Sequence, residues 1–134
     1  GILPIVNEND SVAVDEIAYG DNDTLSAVTA DLIHADLLVL LSDIDGLFND
    51  DPMKNKDAKL IPVVKEIDDS IFCMAKGAGS SRGTGGMVTK ISAAQFANEH
   101  QIPMIIANGR QPAILYDILR DDYRGTLFDI KEGM

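Results

Sequence analysis

The chain has 134 residues, 46% apolar, 25% charged and 5% aromatic, the proportions of a folded globular domain and not of a disordered, fibrous or membrane chain. Eleven Lys and Arg against twenty-two Asp and Glu leave a net charge of −11, which argues against a duplex-binding surface, since that requires clustered cations to displace counterions. No apolar run approaches the roughly 20 residues that cross a bilayer, and Cys73 is the one cysteine, so the expectation is a cytoplasmic protein without anchor or disulfide framework.

Gly1-Ile2-Leu3-Pro4 carries no initiator Met and no charged leader. It runs directly into Ile5 and Val6, and the chain is therefore expected to be a piece of a longer protein without a signal peptide. Residues 2–6 read as a short buried strand, and residues 11–17 as a hairpin or ordered loop. From Thr24 to Ala35, Leu25, Val28, Leu32 and Ile33 fall at helical spacing, with Asn22 or Asp23 as the cap. Residues 37–41 are apolar throughout, as in a central parallel strand covered on both faces. Residues 60–67 suit an edge strand, and Asp68-Asp69-Ser70 suits the start of a short helix through Met74. Residues 76–86 are too rich in glycine for regular structure. A helix follows over 87–100, a buried strand over 103–107, a helix over 112–119 and a last strand over 126–130. This succession predicts an α/β sandwich with a mostly parallel sheet.

Ligands of open parallel sheets bind beyond the carboxyl ends of the strands. Residues 7–10, 42–45 and 108–110 leave such ends. The glycine-rich loop runs into a helix whose first turn holds Lys90, and loop amides, a helix N-terminus and an ammonium together suit a polyphosphate, although a flexible connection has the same composition. Neither Walker A nor the dinucleotide fingerprint fits: residues 79–84 lack the Gly-Lys-Ser/Thr, and the pattern begun at Gly83 ends on Val88. Residues 20–23 read first as a turn and cap, and 43–46 as a strand-end turn and not a calcium loop. His34 and His100 read as solvated residues at helix C-termini, Cys73 as a buried small apolar residue and the methionines as core filler.

Taken together, Asn7-Glu8-Asn9-Asp10, Gly20-Asp21-Asn22-Asp23, Ser42-Asp43-Ile44-Asp45-Gly46-Leu47-Phe48, Asp51-Pro52 and Gly83-Thr84-Gly85-Gly86-Met87-Val88-Thr89-Lys90 resemble, in order and spacing, the glutamate 5-kinases of the amino acid kinase superfamily. The resemblance covers essentially the whole chain. Its first two segments are specific to these kinases within the superfamily, whereas the Gly-Thr-Gly-Gly-Met segment with its lysine is shared more widely. The resemblance implies a three-layer α/β sandwich and transfer of a phosphoryl group from ATP, with Mg²⁺, to the γ-carboxylate of L-glutamate, the opening step of proline synthesis. It implies that Asp10 and Asn22 bind glutamate, and that Asp23 orients the catalytic lysines, of which Lys90 is one. Ser42, Asp43 and the loop Thr84, Gly85, Gly86, Met87, Val88, Thr89 and Lys90 would bind ATP. Ser42, Phe48 and Met53 stand where Thr, Tyr and Arg are commoner. A family kinase domain is about twice this long. Residues 1–134 would thus be its C-terminal, ATP-side portion plus the glutamate loop, without the N-terminal half and its lysine, and inactive alone. A homo-oligomer inhibited by proline is implied as well. The competing readings are a sister kinase acting on aspartate, acetylglutamate, carbamate or UMP, and a non-catalytic nucleotide-binding module.

Overall fold

A computed structural model describes residues 22–77 and 86–129. The expected strand over 2–6, the hairpin over 11–17, most of the glycine-rich loop and Ile130 lie outside the described residues. The elements within them are α1 (Asn22–Leu32), β1 (Leu38–Ser42), β2 (Val63–Val64), α2 (Asp69–Gly77), α3 (Gly86–Glu99), β3 (Met104–Asn108), α4 (Ile114–Leu119) and β4 (Gly125–Phe128).

The strands form one sheet in the order β1-β3-β4-β2. β1 lies parallel to β3, with Leu38 opposite Met104 and Ser42 opposite Asn108. β2 lies parallel to β4, while β3 and β4 are antiparallel. Successive strand side chains point to opposite faces, so each strand feeds two layers. On one face Leu40, Met104, Ile106 and Phe128 pack with Ala27 and Ala30 of α1, Ile71 and Ala75 of α2, and Met87, Ile91, Ala94 and Ala97 of α3. On the other, Ile105 and Ala107 pack with Ile118 of α4 and with Val39, Tyr123 and Leu127. The result is the expected three-layer α/β sandwich, with two of its three strand pairings parallel.

Several elements differ from the sequence expectation. The apolar run at 37–41 lies at an edge of the described sheet, where Leu40 is buried and Leu41 is 46% exposed. The inner places belong to β3 and β4, and Met104, Ile105, Ile106 and Ala107 of β3 are all buried. An apolar run records two hydrophobic faces, but not a strand's position in the sheet. The expected strand over 60–67 shrinks to Val63–Val64 because Pro62 has no N–H for the ladder; its carbonyl accepts from the Leu127 N–H at 2.9 Å instead. Asp68 does cap α2, accepting from the amides of Ser70 and Ile71 at 3.0 and 3.2 Å. The helix, however, continues past Met74 through Lys76 to Gly77, so the glycine-rich stretch begins as the last turn of a helix. Cys73 is exposed, not buried, and so is Met53, while Met87 and Met104 do fill the core.

Three helices end on side-chain-bearing residues in the left-handed region, His34, Gln101 and Asp121, with φ of 56, 64 and 58°. Each is followed by an amide that reaches back across the last turn: Ala35 to the Ala30 carbonyl, Ile102 to Ala97 and Asp122 to Asp117. This is the hydrogen-bond pattern of a glycine-type helix stop, made without glycine.

Candidate functional site

Helix α1 ends where β1 begins and α3 ends where β3 begins. In each unit the helix therefore runs back along its strand, and the helix N-terminus lies at the strand's carboxyl end. That end of the sheet gathers the starts of α1 and α3, Ser42 at the end of β1, Asn108 at the end of β3 and, because β4 is antiparallel to β3, the residues entering β4.

The α1 and α3 starts meet through side chains. Asp23, in the first turn of α1, accepts on Oδ2 from Lys90 Nζ at 3.0 Å and from Thr89 Oγ1 at 3.0 Å. The pair joins residues 67 positions apart, and its side chains are only 17% exposed for Lys90 and 19% for Asp23. Asp23 is thus occupied by α3 and not by the local capping that residues 20–23 suggest when read alone. α1 itself begins at Asn22, two residues before the expected Thr24. Gly86 opens α3 with φ of 45° and open space where a Cβ would stand. Its requirement for glycine is conformational and not steric.

A second cluster holds the loops after β1 and β3. Asp45 accepts from Arg124 Nε at 2.8 Å on one oxygen and from Asn108 Nδ2 at 3.2 Å on the other. The Asn108 side-chain carbonyl in turn accepts from the Arg110 amide at 2.8 Å. The hydrogen bond from Arg124 holds the Asp45 carboxyl below its ordinary range against the opposing effect of burial, with Asn108 assisting. Farther along the loop, buried Thr126 Oγ1 accepts from the Leu47 amide at 2.9 Å and donates to the Ile61 carbonyl at 2.7 Å. Gly46 lies so close that a Cβ there would stand 2.5 Å from Thr126 Oγ1. Residues 43–61, with Phe48 among them, are thereby pinned to β3 and β4.

Of the residues singled out from sequence, Asn22, Asp23 and the turn Gly86 to Lys90 stand at the two helix starts, and Ser42 and Asp43 at the end of β1. The Ser42 hydroxyl lies 3.3 Å from Asp43 Oδ1 and its backbone carbonyl accepts from the Gly109 amide at 2.8 Å. Met87 is 3% exposed within the core, so only its backbone faces the helix N-terminus. Asp10, Thr84 and Gly85 lie outside the described residues. Arg124, Asn108 and Thr126 were missed as partners. Asn108 sits in a strand-end segment already marked by its polarity, whereas an arginine after a tyrosine and a threonine in a strand give no local signal. Among the described residues no group of three or more His, Cys, Asp or Glu is arranged to hold a metal ion, and no helix is long and apolar enough to cross a membrane.

A model of the amino acid kinase family matches residues 1–108. Curated relatives named glutamate 5-kinase include one from Clostridium perfringens, 53% identical over 99% of this chain and 51% of its own, and one from Enterococcus faecalis, 51% identical over 98% and 50%. The chain spans about half the length of these relatives. Among solved structures, a UMP kinase from Bacillus anthracis superposes with a TM-score of 0.59 at 19% identity, over 83% of this chain and 41% of that one. An isopentenyl phosphate kinase from T. acidophilum gives 0.57 at 23%, over 79% and 38%. At such identities these two likenesses concern the fold alone.

Proposed function

The chain belongs to the amino acid kinase family, and on that premise we propose that it carries the ATP side and the glutamate loop of a glutamate 5-kinase, a transferase that makes γ-glutamyl phosphate from L-glutamate and MgATP. The observation that carries this reading is the contact at 3.0 Å, at the strands' carboxyl ends, between Asp23 of the Gly-Asp-Asn-Asp segment and Lys90, the lysine that follows Gly-Thr-Gly-Gly-Met. The identity to glutamate 5-kinases over nearly the whole chain supports it.

In this reaction an oxygen of the γ-carboxylate attacks the γ-phosphorus of ATP. A new O–P bond forms, the bond from the γ-phosphorus to the β,γ-bridging oxygen breaks, and ADP leaves. A carboxylate is already a nucleophile at neutral pH, so no general base is needed. What the protein must supply is alignment of two anions and positive charge aimed at the moving phosphoryl oxygens. Lys90 and the backbone amides of 84–90 supply the charge, and Asp23 fixes the direction of the lysine. Ser42 and Asp43 hold the nucleotide. Asp10 receives the α-ammonium of glutamate, and Asn22 donates to a carboxylate without adding like charge. Mg²⁺ enters as part of the substrate, bound chiefly by the phosphates, as is usual for this ion. In this reading residues 1–134 are the C-terminal portion of the kinase domain in a cytoplasmic homo-oligomer subject to inhibition by proline.

The test is an acceptor screen on the whole protein with MgATP, offering glutamate, aspartate, acetylglutamate, carbamate and UMP in turn. Glutamate-dependent ADP release with trapping of a γ-glutamyl hydroxamate is the expected result. Preference for another acceptor assigns the protein to a sister kinase, and ATP binding without turnover of any acceptor assigns it to the non-catalytic class.

A further inference from the structure

The hydroxyl of Thr89 is placed as a third partner of the Asp23–Lys90 pair. Its oxygen lies 3.0 Å from Asp23 Oδ2, the same atom that accepts from Lys90, and 2.9 Å from the Gly86 carbonyl. One hydroxyl proton thus has two acceptors, the carbonyl three residues back, which a helical threonine commonly reaches, and a carboxylate on another helix. The pair sits where water reaches less than a fifth of either side chain. A carboxylate deprived of its donor there would lose orientation and be left poorly compensated. Yet Lys90 has to turn part of its ammonium towards the phosphoryl group if it is to stabilise the transferring charge.

We propose that Thr89 is a positioning residue for phosphoryl transfer: its hydroxyl donates to Asp23 Oδ2 and keeps that carboxylate aimed while the Lys90 ammonium engages the phosphoryl oxygens. The Gly86 carbonyl is the resting acceptor when Lys90 lies fully on Asp23. The Thr89 hydroxyl therefore acts through Asp23 and not by touching ATP, although the sequence resemblance groups the residue with the nucleotide loop. The proposal rests on the kinase reading above. Its test is run on whichever acceptor the wild-type whole protein phosphorylates, so that failure with glutamate counts against the substrate assignment alone.

Thr89→Val keeps the shape of the side chain and removes the donor. It is expected to lower kcat about 10-fold or more, as for loss of a hydrogen bond to a charged group, with KM for ATP changed less than about 2-fold. Thr89→Ser is expected to recover most of kcat, and Thr89→Ala to match Thr89→Val, which guards against crowding by the added methyl. In an Asp23→Asn background, Thr89→Val is expected to cost less than about 2-fold further, because coupled residues do not add. An unchanged kcat, a rise confined to KM for ATP, failure of serine to rescue, or a full additional loss in the Asp23→Asn background would each overturn the assignment.

Discussion

Among the described residues, two carboxylate–cation pairs bridge distant parts of the chain at the same end of the sheet, and they are built differently. Lys90–Asp23 joins two helices, has side chains 17% and 19% exposed, and shares its acceptor atom with a hydroxyl. Arg124–Asp45 joins two loops, has side chains 64% and 34% exposed, and uses separate carboxylate oxygens for Arg124 and Asn108. Water screens the second pair, which limits it to about 0–1 kcal/mol of stability. The first pays a desolvation cost that a fold seldom needs for stability alone. Low exposure also makes its charge effective on a neighbouring anion. The helix pair is thus suited to chemistry and the loop pair to holding shape.

The sharpest way to break the comparison, on the proposed kinase reading, is Lys90→Ala in the whole protein. kcat is expected to fall about 10²-fold or more with a smaller change in KM for ATP, since the lost charge acts chiefly in the transition state. Steady-state kinetics check this, and a rise in KM alone would make Lys90 an anchoring residue. Next in size is Gly46→Ala, whose Cβ would meet Thr126 Oγ1 at 2.5 Å and the Thr126 amide nitrogen at 3.1 Å. Denaturant unfolding is expected to show a loss of about 1–3 kcal/mol, the range for overpacking. An unchanged midpoint would mean that the loop over 43–61 is not held as tightly as its hydrogen bonds to Thr126 indicate.

The sequence made the helix pair findable and left the loop pair obscure. Asp23 and Lys90 sit in segments with a recognisable pattern, and topology brings those segments together because both open helices that run back along their strands. Arg124 has no pattern, and it finds Asp45 only because β4 enters the sheet antiparallel beside β3, an order that no local periodicity encodes. Thr126 opens the expected last strand as a polar residue and is fully buried, since its hydroxyl serves two backbone groups of a loop 65 and more residues earlier. The apolar runs mark β1 and β3 as strands, but the run at 37–41 predicts a central strand where the described sheet has β1 at its edge and β3 inside. Pro62 carried the signal that shortened β2.

Smaller effects sharpen the loop pair. Asp45 has its folded-state carboxyl lowered by Arg124, whereas the unfolded chain titrates near about 3.9. Its stabilisation is therefore present above the unfolded value and is lost as pH falls through the folded one. Asp45→Asn is expected to lower Tm by a degree or two at pH 7 (roughly 0.5 kcal/mol). The difference from wild type should shrink as pH drops below about 4, as calorimetry across pH would record. A difference that persists unchanged in acid would assign the effect to packing and not to charge. Outside both pairs, Gln101→Gly at the end of α3 is expected to stabilise by up to about 1 kcal/mol, because glycine adopts the left-handed conformation without the penalty a side chain carries. Denaturant midpoints check it.

The most direct measurement is the pairing of kcat with Tm for Asp23→Asn in the whole protein, with the acceptor that the wild type phosphorylates. Asparagine preserves size and can still accept from Lys90, but it removes the charge that aims the ammonium. With Asp23 as the orienting group of a phosphoryl-transfer centre, kcat falls by about 10²-fold, the scale of a misplaced catalytic group, while Tm shifts by only a few degrees. A wild-type kcat accompanied by a lowered Tm would contradict that role and leave the Asp23–Lys90 contact as a bridge that merely joins two helices.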